Sequence, residues 1–583
     1  MGALAMTLSA ATHADRPTIQ RQIDAAVAAG QDSVRIQPGV YRSVHGDRPA
    51  HVLLHDLDDF TVEATGVKLI CTDFGRAIDV EGCTRVTLRG LTIDYDPLAQ
   101  TQAEVTKIID DRTLEFVMDA GYADLGSIGR ETHLMTLDRV IPHDGQTLRV
   151  KRGEGGLGGN RYEKIGDRHY RFTNWHAIGP VEVGDVISFW LPVSGHYTID
   201  IRDSVECMLE DVTIHSTAPG WTIRDANSDR ITYRRVTITP GPKPERAIRQ
   251  RVRAAHADGI HSTDARRGPI VEGCVLEHLG DDGVAIRGSW GVILQPVEGA
   301  ATVELGLPKG LTYAPGDRLH VYRKADGTRH ERTVVAVDRS PIPVPRMHEI
   351  VSGHFARYRW FRSYRDAYIV TLDTPITLGV CDLTTNPAVG GAGFVVRDNR
   401  VFDTRARGII VKASGGVIED NHVEHASLSG ILAIAEFDAF LEASFADGLD
   451  IVGNHIEHTN IGRPQRSRTI HGGAISITKP EAWRSAVGHQ RVVIRDNTIV
   501  EVPAIQVQLN ATTGAEVIGN RFVRPLHGLV EYGTDVGLNP RALISLDHAH
   551  DIIVRDNQVV DPGPDFEANL HTTDNTERLS SDF

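Results

Sequence analysis

At 583 residues and 63.8 kDa the chain can bury a large core, and a 41% hydrophobic content excludes a disordered polymer. Gly at 56 positions with only 6% aromatic residues argues against a helical bundle and for many short strands joined by turns. A formal charge of −15 excludes a general grip on a phosphate backbone, so no nucleic-acid partner is expected, and a neutral sugar suits the surface better than a polyanion.

The segment from Met1 to Ala11 lacks the basic region of a signal peptide, and no run approaches ~18 apolar residues. A soluble chain without a membrane partner is expected, with cytoplasmic and secreted locations both open, and a homodimer among the oligomeric states the sequence allows. Cys71, Cys83, Cys207, Cys274 and Cys381 are far apart and without a C-x-x-C pair, so they read as core fillers, not as a zinc cage or a disulfide framework. No motif requires a cofactor or a metal ion.

Pro17 to Gly30 reads as a short amphipathic helix ended by glycine, followed by Ser33-Val-Arg-Ile-Gln-Pro-Gly-Val-Tyr-Arg42. A helix leading into this strand resembles the N-terminal cap of right-handed β-helix proteins of the pectate-lyase-like superfamily. Alternating apolar segments at 85–93, 206–214, 230–238 and 269–278 then read as early coils. Residues 103–192 and 288–378 break this period with strands and polar turns, and Val183-Gly-Asp185 and Pro315-Gly-Asp317 repeat one turn idea. Two small β-barrel-like insertions are expected there. They would divide the chain into a cap with first coils (1–102), insertion 1 (103–192), central coils (193–287), insertion 2 (288–378) and C-terminal coils (379–583).

The C-terminal coils show the repeat most clearly, as β-branched runs around a turn ending in Asn399, Asn421, Asn454, Asn497 and Asn520. The intervals are roughly 22 to 23 residues at their shortest, and roughly 33 and 43 where loops intervene, which is the signature of a solenoid. Asn tolerates a left-handed turn, and stacked amides can hydrogen-bond from coil to coil. The expected fold class is all-β: a parallel β-helix with two barrel-like insertions.

The chemistry concentrates between His256 and Arg287. Asp258 and Asp281 stand one coil period apart, on neighbouring rungs ~4.8 Å apart, and Asp282 adjoins the second. Carboxylates that close raise one another's pKa, so one can stay protonated as an acid while another remains a base. Glycoside hydrolysis needs that division, by attack on the anomeric carbon or by activation of water. His256 and His261 flank Asp258, and Arg287 follows the pair. Arg407 and Lys412, on later coils, are cations that can bind sugar hydroxyls. Glu436, and Glu442 after it, are carboxylates able to clamp hydroxyls at a loop-bearing corner. Trp221, Trp290, Trp360, Phe361, Phe437 and Trp483 are candidates for a pyranose-stacking floor, and His471 for a groove residue.

Ala257-Asp258, Arg267-Gly-Pro-Ile270, Leu276 and Asp281-Asp-Gly-Val-Ala-Ile-Arg-Gly-Ser289 together resemble the motif of glycoside hydrolase family 110, inverting exo-α-1,3-galactosidases built as a β-helix with barrel insertions. The resemblance implies Asp258 as general acid and Asp281 and Asp282 as the general-base pair. It implies that the chain acts on a terminal α-linked galactose or a related neutral sugar of a glycan; His256, His261, Arg287, Arg407, Lys412 and Glu436 are the substrate-binding candidates that the residues themselves suggest. Members commonly have His before the Asp pair, and Asn and His after it, where this chain has Gly280, Ala285 and Arg287. Two rival readings are a calcium-dependent polysaccharide lyase and a non-catalytic glycan-binding solenoid.

Overall fold

The structure is a computed structural model, and it describes residues 17–125, 140–153, 157, 161–190, 196–355, 361–437, 440–462, 472–479, 488–528 and 538–583. Helix Ile19–Ala28 is capped by Thr18, whose side chain accepts the Arg21 N–H, and buries Ile19, Ile23 and Ala26 against the first coils. Beyond it the chain winds as a parallel β-helix, in which strands one coil apart pair in register.

The register is set by the inward column. Ile78, Ile199, Ile223, Ile260, Val284, Ile409, Ile431, Ile475, Val507 and Ile544 each align with the next. A one-residue slip anywhere would turn these β-branched side chains outward, so burial fixes the register over the whole solenoid. All of them belong to one continuous core.

The asparagines form the expected ladder, but they are not the left-handed residues. That conformation falls on the preceding position, at Asp398 (φ 56°), Asp420 (53°), Asp496 (58°) and Asp556 (57°), or on Gly453 and Gly519. Each Asn turns inward instead. Asn421 Oδ1 accepts the N–H and Nδ2 of Asn399 at 3.1 and 2.8 Å, and its own Nδ2 donates to Val396 O at 2.8 Å. The pattern repeats through Asn454, Asn497, Asn520 and Asn557. Each buried amide thus satisfies the turn of the coil before it, as burial of a polar group demands. Cys274 begins the column, donating its N–H to Asn399 Oδ1, and all five cysteines are buried and free.

The period is interrupted by two antiparallel units. The first is a six-stranded sheet from Gln100–Ile108, Thr113–Met118, Ile141–His143, Arg161–Gly166, His169–Thr173 and Val186–Trp190. The second is a closed barrel of Gly291–Ile293, Val297–Pro308, Arg318–Tyr322, Arg329–Arg339, Tyr364–Leu378 and Leu383–Thr385. Its last strand comes from beyond residue 378, and it carries a helix, Val344–His354, that buries Met347 and Val351. Among the described residues no helix is long and apolar enough to cross a membrane.

Candidate active site

Three consecutive rungs build the site: strands Ile260–Thr263, Val284–Ser289 and Ile409–Lys412, paired in parallel. The turn residues leading into them are stacked by the same ladder. Gly259 N–H donates to Asp282 O, and Gly283 N–H donates to Arg407 O. The rung partner of Asp258 is therefore Asp282, not Asp281 as the 23-residue interval suggested, because the coil is one residue longer than that interval. Asp281 still reaches the group: one oxygen from each of Asp258, Asp281 and Asp282 lies within 4.8 Å of the others. Gly259 and Gly283 make the stacking possible, since a Cβ at either would lie within 2.6 Å of the next rung's carbonyl oxygen.

Each carboxylate has a distinct setting. Asp258 Oδ2 lies 2.6 Å from His261 Nδ1, and its Oδ1 accepts the Asp282 N–H at 3.3 Å. Arg287 Nε donates to His261 Nε2 at 3.0 Å, which assigns the ring proton to Nδ1 and makes His261 a donor to Asp258. Asp282 Oδ1 accepts the Arg407 N–H at 3.0 Å and Arg407 Nη1 at 3.2 Å. Burial pushes Asp282 up to about 6, against the pull of Arg407 and with the repulsion of Asp281 and Asp258 behind it. Asp281 is the more exposed of the pair and faces Arg405 Nη2 at 3.6 Å. The three oxygens are close enough to hold a cation, but Arg405 and Arg407 already bring positive charge to that side.

The cationic candidates are gathered by a residue of the Glu436–Glu442 corner, and it is Glu442. Strand Glu442–Ala443 pairs antiparallel with Gly288 and Ser289, placing Glu442 Oε1 3.0 Å from Arg287 Nε and its Oε2 against Lys412 Nζ. Burial alone would raise Glu442, but Lys412 and Arg287 outweigh it and hold it at about 2. Glu436 itself is turned away, its Oε2 accepting the Phe440 N–H and its carbonyl accepting Trp290 Nε1. The expectation for Glu436 is corrected accordingly: the outer face carries a chain Asp258–His261–Arg287–Glu442–Lys412.

His256 is also displaced from its expected role. It has no exposed surface and its ring lies 5.2 Å from the Trp190 ring, so it is packed in the interior. Trp190 comes from the first insertion, whose Gln100 donates to Arg253 O. Arg253, fully buried, packs 5.3 Å from Trp190 and donates to His256 O. A Cβ on Gly280 would lie 1.6 Å from Arg253 Nη2 and 1.9 Å from the His256 backbone O, so the His256 carbonyl excludes a side chain before the Asp pair. Neither Arg253 nor Arg405 was readable as a site residue, because both sit in turns without periodic signal.

Of the aromatic candidates, Trp221 stacks on Tyr197 at 5.2 Å, and its neighbour Thr222 donates its N–H to Asp258 O. Trp290 and Phe437 are core residues, Phe361 packs half-buried on His348 of the barrel's helix, and Trp360, His471 and Trp483 lie outside the described residues.

Fold and site together define a class: a parallel β-helix that brings three carboxylates together on adjacent rungs. Within it, the chain is 22% identical over 477 residues to alpha-1,3-galactosidase B of Bacteroides thetaiotaomicron, covering 77% of this chain and 71% of the relative. It is 23% identical over 486 residues to alpha-1,3-galactosidase A of Bacteroides fragilis, covering 81% and 75%. No protein-family model matches. Among solved structures, the catalytic domain of a GH87 alpha-1,3-glucanase in complex with nigerose covers 97% of this chain and 68% of its own, at 10% identity and a TM-score of 0.42. The A-module of an Azotobacter vinelandii mannuronan C-5 epimerase covers 97% and 95%, at 10% identity and 0.34.

Proposed function

We propose that the chain is an exo-acting, inverting α-glycosidase that removes a terminal α-linked galactose or a closely related neutral sugar from a glycan. The observation that carries this reading is the trio itself, Asp258, Asp281 and Asp282, on adjacent rungs in a chain similar to curated alpha-1,3-galactosidases. Asp258 would protonate the leaving oxygen, and Asp281 and Asp282 would hold and deprotonate the attacking water. Closest oxygens within 4.8 Å are tighter than the ~6.5–9.5 Å between carboxyl groups usual for inversion. The inverting assignment therefore rests on the doubled base and the resemblance, and the anomer released first decides it. Arg287 stands where the family commonly has His, and Glu442 is held against it, so the sugar accepted would be set by different groups.

Burial, with the repulsion of Asp281 and Asp258 behind it, raises Asp282 to about 6. A base acts only in its ionised form, which is half populated at that value and lost below it, so kcat/KM should fall about tenfold per pH unit below pH 6. A pH–rate profile flat down to pH 4 would contradict the base role of Asp282.

One observation favours a second reading: the trio's spacing also suits a cation, and Arg405 and Arg407 stand where a lyase base would. A lyase would release an unsaturated, ultraviolet-absorbing product and lose activity in EDTA. A screen of nitrophenyl and disaccharide α-glycosides separates the two, with free galactose as the expected product.

A further inference from the structure

A second constellation lies at the capped end of the solenoid, apart from the aspartates. His45 follows strand Gly39–Ser43, His51 is on strand Ala50–His55, and Asp73 lies between strands Thr61–Cys71 and Arg76–Glu81. Asp73 Oδ1 is 2.7 Å from His45 Nδ1 and 2.9 Å from His51 Nε2. The two imidazole centroids are 5.5 Å apart.

The His51 side chain is wholly buried, and neither of its ring nitrogens makes a hydrogen bond of acceptable geometry. Leaving a buried imidazole so is costly unless a further partner satisfies it. The surroundings are shaped for the cluster. A Cβ on Gly75 would lie 2.4 Å from His45 Nδ1, so only glycine admits that ring, and Tyr95 fixes the same turn by donating to Gly75 O at 2.8 Å. Asp73 Oδ2 accepts the His45 backbone N–H at 3.2 Å, orienting the carboxylate from behind.

We propose that His45, His51 and Asp73 form a three-ligand site for a borderline divalent transition ion of the zinc type. Two imidazoles and one carboxylate suit such an ion, whereas calcium and magnesium prefer all-oxygen sets. Bonds of ~2.0–2.1 Å in a tetrahedral arrangement put ligand atoms about 3.3 Å apart. The observed 2.7 and 2.9 Å separations need an opening of about half an ångström, within reach of the partly exposed His45 and Asp73 side chains. The ion would tie the turns of the first two coils together, where the solenoid has stacking partners on one side only.

The test uses the full chain, stripped with a chelator and titrated with Zn²⁺ by calorimetry and with Co²⁺ by visible absorption. The native chain and Asp281→Asn should each bind one equivalent, with a tetrahedral Co²⁺ spectrum and a raised thermal midpoint. His51→Gln and His45→Gln should each weaken binding at least tenfold. Because His51 is buried and its variant can fail to fold, the partly exposed His45 carries the decision. No uptake by the native chain, unchanged affinity in His45→Gln, or an equivalent lost in Asp281→Asn but kept in His45→Gln would overturn the site.

Discussion

Asp258→Asn should lower kcat on a disaccharide substrate by about 10²–10⁴-fold, the usual contribution of a positioned general acid. Asn keeps the shape and can still accept from His261 Nδ1, so the 2.6 Å contact survives and the loss reports proton delivery instead of collapse. The deficit should shrink on a nitrophenyl glycoside, whose leaving group needs little protonation. Asp282→Asn should impair both substrates alike, because activation of water is needed whatever leaves. Steady-state kinetics on the two substrates therefore separates acid from base. A kcat for Asp258→Asn within threefold of the native value would remove it from the mechanism. A non-catalytic solenoid would show no turnover to lose, and its glycan binding would survive both changes.

The largest stability effect is expected from Asn454→Ala. Asn454 Oδ1 accepts the Asn421 N–H and Nδ2, each at 3.0 Å, and its own Nδ2 donates to Ile418 O at 2.9 Å. Alanine strands two donors and one carbonyl in a fully buried turn, at about 1–3 kcal/mol each, so the loss should total about 3–9 kcal/mol. Asn557→Ala, at the more exposed end of the ladder, should cost less than half as much, since water can replace the amide. Hydrogen exchange at the Asn421 amide is the sharper readout, because a solenoid can open locally without unfolding as a whole. Unchanged protection there would mean that the ladder is decorative.

The solenoid was legible because its period is written in residue types that have one structural use. Inward β-branched columns and the recurring Asn survive in the sequence whatever lies between them. Which residue takes the left-handed conformation was not legible, because Asp-Asn and Gly-Asn offer two candidates at each turn and only burial of the amide chooses. The three aspartates could be found from composition and spacing, but the pairing of Asp258 with Asp282 depends on one residue of turn length. His261 was found by proximity to Asp258 in the chain. Its orientation by Arg287, and the substitution of Glu442 for Glu436, depend on an antiparallel pairing between Ser289 and Glu442, an interval no local pattern spans. Arg253 was invisible for the same reason: it meets Trp190 only because the first insertion packs against the segment before Asp258.

The most direct test of the account is proton NMR of the reaction in progress on an α-1,3-linked galactosyl disaccharide. The account predicts that β-galactose appears first and mutarotates to the α-anomer afterwards. Release of α-galactose first would contradict the doubled general base, and no release from this or any other α-galactoside would contradict the assignment of the sugar.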